Sequence, residues 1–381
     1  MPSGSGSPSA CWPCRWTDAS ARTWRRGRRA SGIRPERDRE AVTYHYDRPP
    51  EFFASFLDRR LVYSCAYFAD EEEGLDAAQE RKLDYLCRKL RLEPGERLLD
   101  IGCVFGALAI HAATRYGAQV DAITLSRGQA DVARTRAHEA GVADRCRIEV
   151  RDYRQLEGRE RYDKMVSVGI FEHVGETLLE PYFAIAHRLL RPRGVFLNHG
   201  IARPRQVRRT SPFVERYVFP DGELVPISVT LRAAERAGLE VRDVESLREH
   251  YALTLRQWVE RLQDNREAAA AAAGELSYRV WRLYMAGSAH AFATGSLTIF
   301  QTSSPNPKAA RPRFRSRAPT GTTAKPLRSC SRPAPVPQVV GAAARAGRWA
   351  DLAHRSRMPV VKRPRSPLAA RAPDGLRAVL R

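Results

Sequence analysis

Apolar residues recur at helical spacing across residues 75–92, where Leu75, Ala78, Leu83, Leu86 and Leu90 share one face. Pro94-Gly95 ends that helix, and Arg97-Leu98-Leu99-Asp100-Ile101-Gly102 reads as a short buried strand entering a glycine turn. Ala107 to Tyr116 returns to helical spacing, with Gly117 placed to cap its C-terminus. Gln119 to Leu125 forms a second strand, and Ser126 is a good N-cap for a helix through Ala140 that Gly141 closes. Cys146 to Val150 and Lys164 to Val168 are two further strands. Leu178 to Leu190 is helical with Pro181 in its first turn, Arg191-Pro192-Arg193-Gly194 stops it, and Val195 to Asn198 is a fifth strand.

This regular alternation of strand and helix specifies a parallel sheet covered on both faces. Ligands of such sheets bind beyond the carboxyl ends of the strands, so functional residues are expected just after each strand. Residues 202–230 carry Pro204, Pro212, Pro220 and Pro226 and read as a loop-rich insertion. Helices follow at 230–237, 252–263 and from about Glu267 to His290, and Ser296 to Gln301 forms a last strand. No internal repeat is present.

The net charge of +21 suggests a nucleic-acid partner until it is located along the chain. Residues 1–40 hold nine Arg against four acids, and 304–381 hold 18 Lys/Arg against Asp351 and Asp374, so residues 41–303 are neutral. Both ends are rich in Pro, Arg, Ser, Gly and Ala, a composition that buries too little apolar surface to fold. Residues 1–40 and 304–381 are therefore expected to be disordered basic extensions, with no specific nucleic-acid partner, around one domain at 41–303. No apolar run is long enough to span a bilayer. The seven cysteines, at 11, 14, 65, 87, 103, 146 and 330, are odd in number and scattered, which fits a reducing cytosol. Cys11-Trp12-Pro13-Cys14 has no second ligand pair, so no metal site is expected.

Candidate chemistry sits at the strand ends. Asp100-Ile101-Gly102-Cys103-Val104-Phe105-Gly106 lets the backbone approach a ligand and opens a helix N-terminus, although this turn alone is a weak signal. Thr124-Leu125-Ser126-Arg127-Gly128-Gln129 and Asp152-Tyr153 follow the next two strands and suit a ribose and an adenine. Asp121 lies about 20 residues past the turn but inside its strand, so Thr124 to Gln129 is preferred for the ribose.

Longer blocks carry a resemblance. Tyr63-Ser64-Cys65-Ala66-Tyr67-Phe68, Leu99–Gly106, Ile123–Ser126, Asp152-Tyr153-Arg154, Val166–Gly175, Leu197-Asn198-His199-Gly200-Ile201 and Glu249–Leu255 occur in one order. In that order they resemble the cyclopropane-fatty-acid synthase and mycolic acid cyclopropane synthase family over about residues 43–302. The resemblance implies a Rossmann-like S-adenosylmethionine-dependent methyltransferase fold of class α/β, its parallel-dominated sheet covered on both faces, with a helical lipid-site insertion. It implies methylene transfer from S-adenosyl-L-methionine to a cis double bond of a phospholipid or carrier-bound acyl chain, through a carbocation and deprotonation by bound bicarbonate. The implied catalytic residues are Cys65 and Ile201, through backbone groups, and the side chains of Glu172, His199 and Tyr251. The implied cofactor residues are Tyr63, Ser64, Asp100, Gly102, Gly106, Thr124, Leu125, Gln129, Asp152 and Tyr153. A cytoplasmic enzyme in transient contact with the membrane is expected, with homodimerisation left open.

Each catalytic candidate has a plainer role open to it. Cys65 could pack as a small apolar residue, Glu172 could favour a helix N-terminus, His199 could be a satisfied core histidine, and Tyr251 could simply pack. The family turn reads Gly-Cys-Gly-Trp-Gly, and here it is Gly102-Cys103-Val104-Phe105-Gly106. A β-branched side chain at Val104 strains any backbone with positive φ, so weakened cofactor binding is expected. Methylation without ring closure, and a relative whose site has decayed, remain the rival readings.

Overall fold

The computed structural model describes residues 48–204, 211–219 and 222–307. The expectations for 1–40 and 308–381, with Cys11, Cys14 and Cys330, lie outside them. Helix α1 (Pro50–Ala54) precedes α2 (Leu75–Leu90). Then come β1 (Arg97–Ile101), α3 (Ala107–Tyr116), β2 (Gln119–Thr124), α4 (Arg127–Glu139), β3 (Cys146–Val150), β4 (Tyr162–Val168), α5 (Leu179–Leu189) and β5 (Leu190–Ala202). Ser126 caps α4 by accepting from the Gln129 amide, and Gly117 ends α3 in the left-handed region. After these follow α6 (Pro212–Tyr217), α7 (Ile227–Arg236), β6 (Asp243–Ser246), α8 (Arg248–Asp264), α9 (Arg266–Ala293) and β7 (Thr298–Pro305).

The strands form one sheet in the order β3-β2-β1-β4-β5-β7-β6. Strands β1 to β5 run parallel, and β7 lies antiparallel to both β5 and β6. This is the expected Rossmann-like sheet. Alternation along β1 explains its two covered faces. Leu98 packs with Leu83, Leu86, Leu108 and Ala130 of α2, α3 and α4, whereas Leu99 and Ile101 pack with Phe183 of α5 and Ala233 of α7. A third, aromatic cluster joins α1, α8 and α9: Phe52 meets Trp281 edge-on at 5.5 Å between centroids, and Tyr63 stacks on Trp258 at 5.3 Å.

Several boundaries differ from the sequence expectation. Helix α7 starts at Ile227 and α8 at Arg248, each a few residues early, and α6 forms inside the proline-rich insertion. The long helix breaks at Gly274, whose φ of 82° is not helical. Strand β6 is unexpected, because Asp243–Ser246 is polar and mostly exposed and pairs only through β7. The last strand does not stop at Gln301. It continues to Pro305, and the Asn306 amide donates to Gly194 O at 2.9 Å, so Ser304 and Pro305 belong to the sheet and Asn306 is bonded to it, not part of a disordered extension.

Candidate active site

Register brings the strand ends together. Ile101 pairs with Ile123 on one side and Ser167 on the other, and Val168 pairs with His199. The turns after β1, β2, β3 and β4 therefore open at one edge of the sheet. They do so where β2 and β3 turn one way from β1 and β4 turns the other.

A pocket at this edge has apolar walls from Ile101, Ile123, Leu125, Ile170, Val174 and Leu178. Its polar lining comes from Thr124, Gln129, Arg151, Asp152, Tyr153, Arg154 and His173, and Gly102 and Val104 line it as well. Thr124 Oγ1 donates to Gln129 Oε1 at 2.9 Å, which leaves Gln129 Nε2 buried without a partner. An unpaired buried amide donor is costly, so the site fits a ligand that brings an acceptor. Asp152 caps the short turn at Tyr153 by accepting from the Arg154 amide at 2.9 Å. Burial pushes the His173 imidazole down to about 4 and keeps it neutral.

Six of the ten expected cofactor residues line this pocket: Gly102, Thr124, Leu125, Gln129, Asp152 and Tyr153. The other four sit elsewhere. Asp100 is buried inside β1, where burial pushes its carboxyl up to about 7. Gly106 has φ +77°, and a Cβ there would lie 3.0 Å from that of Ala133, so its absence serves the packing of α3 on α4. Tyr63 stacks in the aromatic cluster, and Ser64 bonds to α2. Asp121, set aside for the ribose, accepts from Tyr162 Oη at 2.9 Å and from Arg97, away from the pocket.

Gly102 has φ +83°, and a Cβ there would collide with the Ile170 side chain across the β1–β4 junction. Gly102→Ala is expected to lower S-adenosylhomocysteine affinity by tenfold or more, roughly, in a calorimetric titration. Affinity within about twofold of the parent would show that the turn tolerates the methyl.

Of the catalytic candidates, a hydrogen bond joins Glu172 to Ile201, and His199, Tyr251 and Cys65 each have their own surroundings. Glu172 Oε1 accepts from the Ile201 amide at 2.7 Å, while Oε2 is buried without a partner. Burial pushes this carboxyl up to about 7. His199 is fully buried on β5, and Gln301 Nε2 lies 3.1 Å from its Nδ1. An amide nitrogen only donates, so Nδ1 accepts and the ring proton sits on Nε2, which is buried and unpartnered. Burial also pushes His199 down to about 3, so the ring is neutral. Tyr251 packs on Phe292 at 4.7 Å, and burial, with the nearby ionisable groups of Tyr284, Tyr63, Cys65 and Glu172, holds its phenol protonated. The Cys65 thiol donates to Ala66 O at 3.2 Å, and burial raises its pKa far above the usual thiol range, so it is no nucleophile.

Sequence reasoning missed Gln301, whose amide fixes the His199 tautomer, and Ile170, whose side chain lies against Gly102. It also passed over Gln79 and Lys82. Their signal was present, because both are polar residues on the apolar stripe of α2.

Residues 33–302 match the family described as mycolic acid cyclopropane synthetase. A "Probable fatty acid methyltransferase" of Pseudomonas putida is 46% identical over 269 residues, covering 69% of this chain and 68% of the relative. The cyclopropane-fatty-acyl-phospholipid synthase of Escherichia coli K12 is 35% identical over 257 residues, covering 68% of this chain and 65% of the relative. The chain thus spans about two thirds of the length of these relatives. The crystal structure of mycolic acid cyclopropane synthase CmaA1 complexed with SAH and CTAB superposes with a TM-score of 0.66 at 33% identity, over 72% of this chain and 99% of that one. The pocket at the sheet switch point thus lies inside the matched segment, and the chain belongs to the mycolic acid cyclopropane synthetase family of S-adenosylmethionine-dependent methyltransferases.

Proposed function

We propose that this chain transfers a methylene unit from S-adenosyl-L-methionine to a cis double bond of an unsaturated phospholipid acyl chain. One observation carries the reading. Glu172 Oε2 and His199 Nε2 are buried and unpartnered, and the charge of Glu172 acts on the Tyr251 phenol, which packs in a buried aromatic cluster. The activities for which these relatives are named, on fatty acids and fatty acyl phospholipids, support it.

The cofactor supplies an electrophilic methyl on a sulfonium. Gly102, Thr124, Leu125, Gln129, Asp152 and Tyr153 would hold it, with Gln129 Nε2 satisfied by a ligand acceptor. An alkene is a weak nucleophile, so the residues must align it and keep water out. Phe53, Tyr63, Phe105 and Trp258 pack on one another in a water-free cluster, and ring faces of this kind would favour positive charge developing on an acyl chain brought against them. Bicarbonate, held by Glu172, His199 and Tyr251, would supply the base that takes a proton from the new methyl. The donor set fits an anion: a carboxyl protonated up to about pH 7, a neutral imidazole with its proton on Nε2, and a phenol. Ile201 would act indirectly, because Glu172 already engages its amide. Cys65 would contribute its backbone.

No helix among the described residues is long and apolar enough to cross a membrane. Substrate access would come through transient contact with the bilayer surface, for which exposed Leu276 and Leu283 on α9 are candidates.

The test is expression of the whole chain in a host rich in unsaturated phospholipids, followed by proton NMR of the extracted fatty acids. Ring methylene signals upfield of the alkyl envelope are the expected result. New olefinic branch signals would support a second reading, methyl transfer without ring closure, which the name of the Pseudomonas putida relative favours. Unmodified fatty acids would overturn both.

A further inference from the structure

Helix α2 buries two polar side chains against the segment that carries Tyr63, Ser64 and Cys65. Gln79 is fully buried, and its Nε2 donates to Ser64 O at 2.8 Å and to Val62 O at 3.4 Å. One turn later Lys82 is only 2% exposed, and its Nζ donates to Ser64 Oγ at 2.9 Å. From the other side Asp58 accepts from the Val62 amide at 2.8 Å. The segment is thus held on its main chain by Gln79 and Asp58 and on its hydroxyl by Lys82.

The ammonium is the costly member of this clamp. A leucine or methionine at position 82 would complete the apolar stripe without burying a charge. Ser64 contacts Lys82 by a hydrogen bond, and the titratable groups coupled to it through space are Asp58 after α1, Cys65 from the clamped segment, Asp100 from β1 and His199 from β5. Asp58 and Asp100 act on it through space, and its own charge opposes protonation of His199.

We infer that Lys82 is a positioning residue that fixes the Tyr63–Cys65 segment through Ser64 and, near neutral pH, sets a positive charge that acts on His199 among the anion-holding side chains. The inference rests on the reading above and on the resemblance, which counts Tyr63 and Ser64 among the cofactor residues although neither lines the pocket after β1 to β4. It explains why a lysine occupies a stripe that, Gln79 apart, is made of Leu75, Ala78, Leu83, Leu86, Cys87 and Leu90. It also gives the buried site a positive complement for carboxylate or carbonate charge that no hydrogen-bond donor alone supplies.

The test compares Lys82→Met with the parent chain by calorimetric titration of S-adenosylhomocysteine, from pH 7 to about pH 9.5. Burial pushes the Lys82 ammonium down to about 8, so its charge is lost across this range. The variant is expected to bind about tenfold more weakly at pH 7, and the gap should close as the parent loses its proton. Its thermal midpoint should not fall, because an apolar side chain of similar length relieves the buried charge. Equal affinity at pH 7, or a gap that stays constant with pH, overturns the inference. Ser64→Ala removes only the acceptor and carries the test should Lys82→Met not fold: weaker binding is expected, and unchanged affinity overturns it. The titration needs no lipid, so a parent chain that makes no lipid product would end the substrate reading without altering this comparison.

Discussion

Glu172→Gln should abolish lipid product while leaving S-adenosylhomocysteine affinity within about twofold of the parent. The amide keeps an oxygen to accept from Ile201, now bonded at 2.7 Å, so the loop after β4 should hold its place. What it loses is a proton that can be shared. Oε2 is buried and unpartnered, and burial pushes the carboxyl to about 7, which suits a group that faces an anion and donates to it near neutrality. Removing such a group costs about a thousandfold in rate. Stability should move the other way. A carboxyl whose pKa is raised on folding stabilises most below its unfolded value of 4.5, and this advantage is lost as pH rises toward 7. Above 7 the parent carries a buried charge that the amide lacks. Glu172→Gln should therefore unfold at a higher temperature than the parent at pH 8, by at most about 3 kcal/mol, with the difference vanishing near pH 4. Retained turnover within about tenfold would remove Glu172 from the chemistry, and a lower midpoint at pH 8 would refute the burial argument.

Val104→Gly should tighten S-adenosylhomocysteine binding by about tenfold. Val104 has φ +49°, lines the pocket next to Gly102, and packs partly on the aromatic cluster. A β-branched residue in the left-handed region costs about 1–3 kcal/mol. Glycine removes both that strain and the methyls that border the cofactor path. The free protein should change little in stability, because relieved strain is offset by glycine's larger entropy loss, about 1 kcal/mol, and by lost packing. Val104→Ala keeps the Cβ but not the branch and should fall between the two. Equal affinities across all three, by calorimetry, would show that the side chain and its strain are borne alike with and without the ligand.

Much of the sheet was legible because its elements carry their own signals. Strand β1 alternates between two apolar faces, α3 ends on a glycine in the left-handed region, and α4 begins on a serine that caps it. Strand β6 and the end of β7 were not legible. Asp243–Ser246 and Thr302–Pro305 are polar, and what makes them strands is a partner far away in sequence: β7 for the first, and β5 for the second. The site divides in the same way. Residues at or just past strand ends, such as Thr124, Gln129 and Asp152, could be placed from local pattern. Tyr63, Ser64 and Gly106 could not, since a motif shared with relatives names a position without saying which wall it faces. Here Gly106 serves helix packing, and Ser64 turns toward α2. Lys82 was overlooked because a charged residue on an exposed helix face and one on a buried stripe look alike until the stripe is drawn around it.

The extension of β7 also sets where this domain can be cut. Ser303, Pro305 and Asn306 bond with Arg242, Glu240 and Gly194, and Asn306 Nδ2 donates to Leu190 O at 3.2 Å. A recombinant boundary drawn at 303, where the composition changes, would remove the clasp on the Arg191–Gly194 bend and leave the start of β5 unpaired on that side. Because β5 also carries His199 and Ile201, the shortest usable fragment has to keep Asn306, several residues inside the basic tail that composition alone would discard.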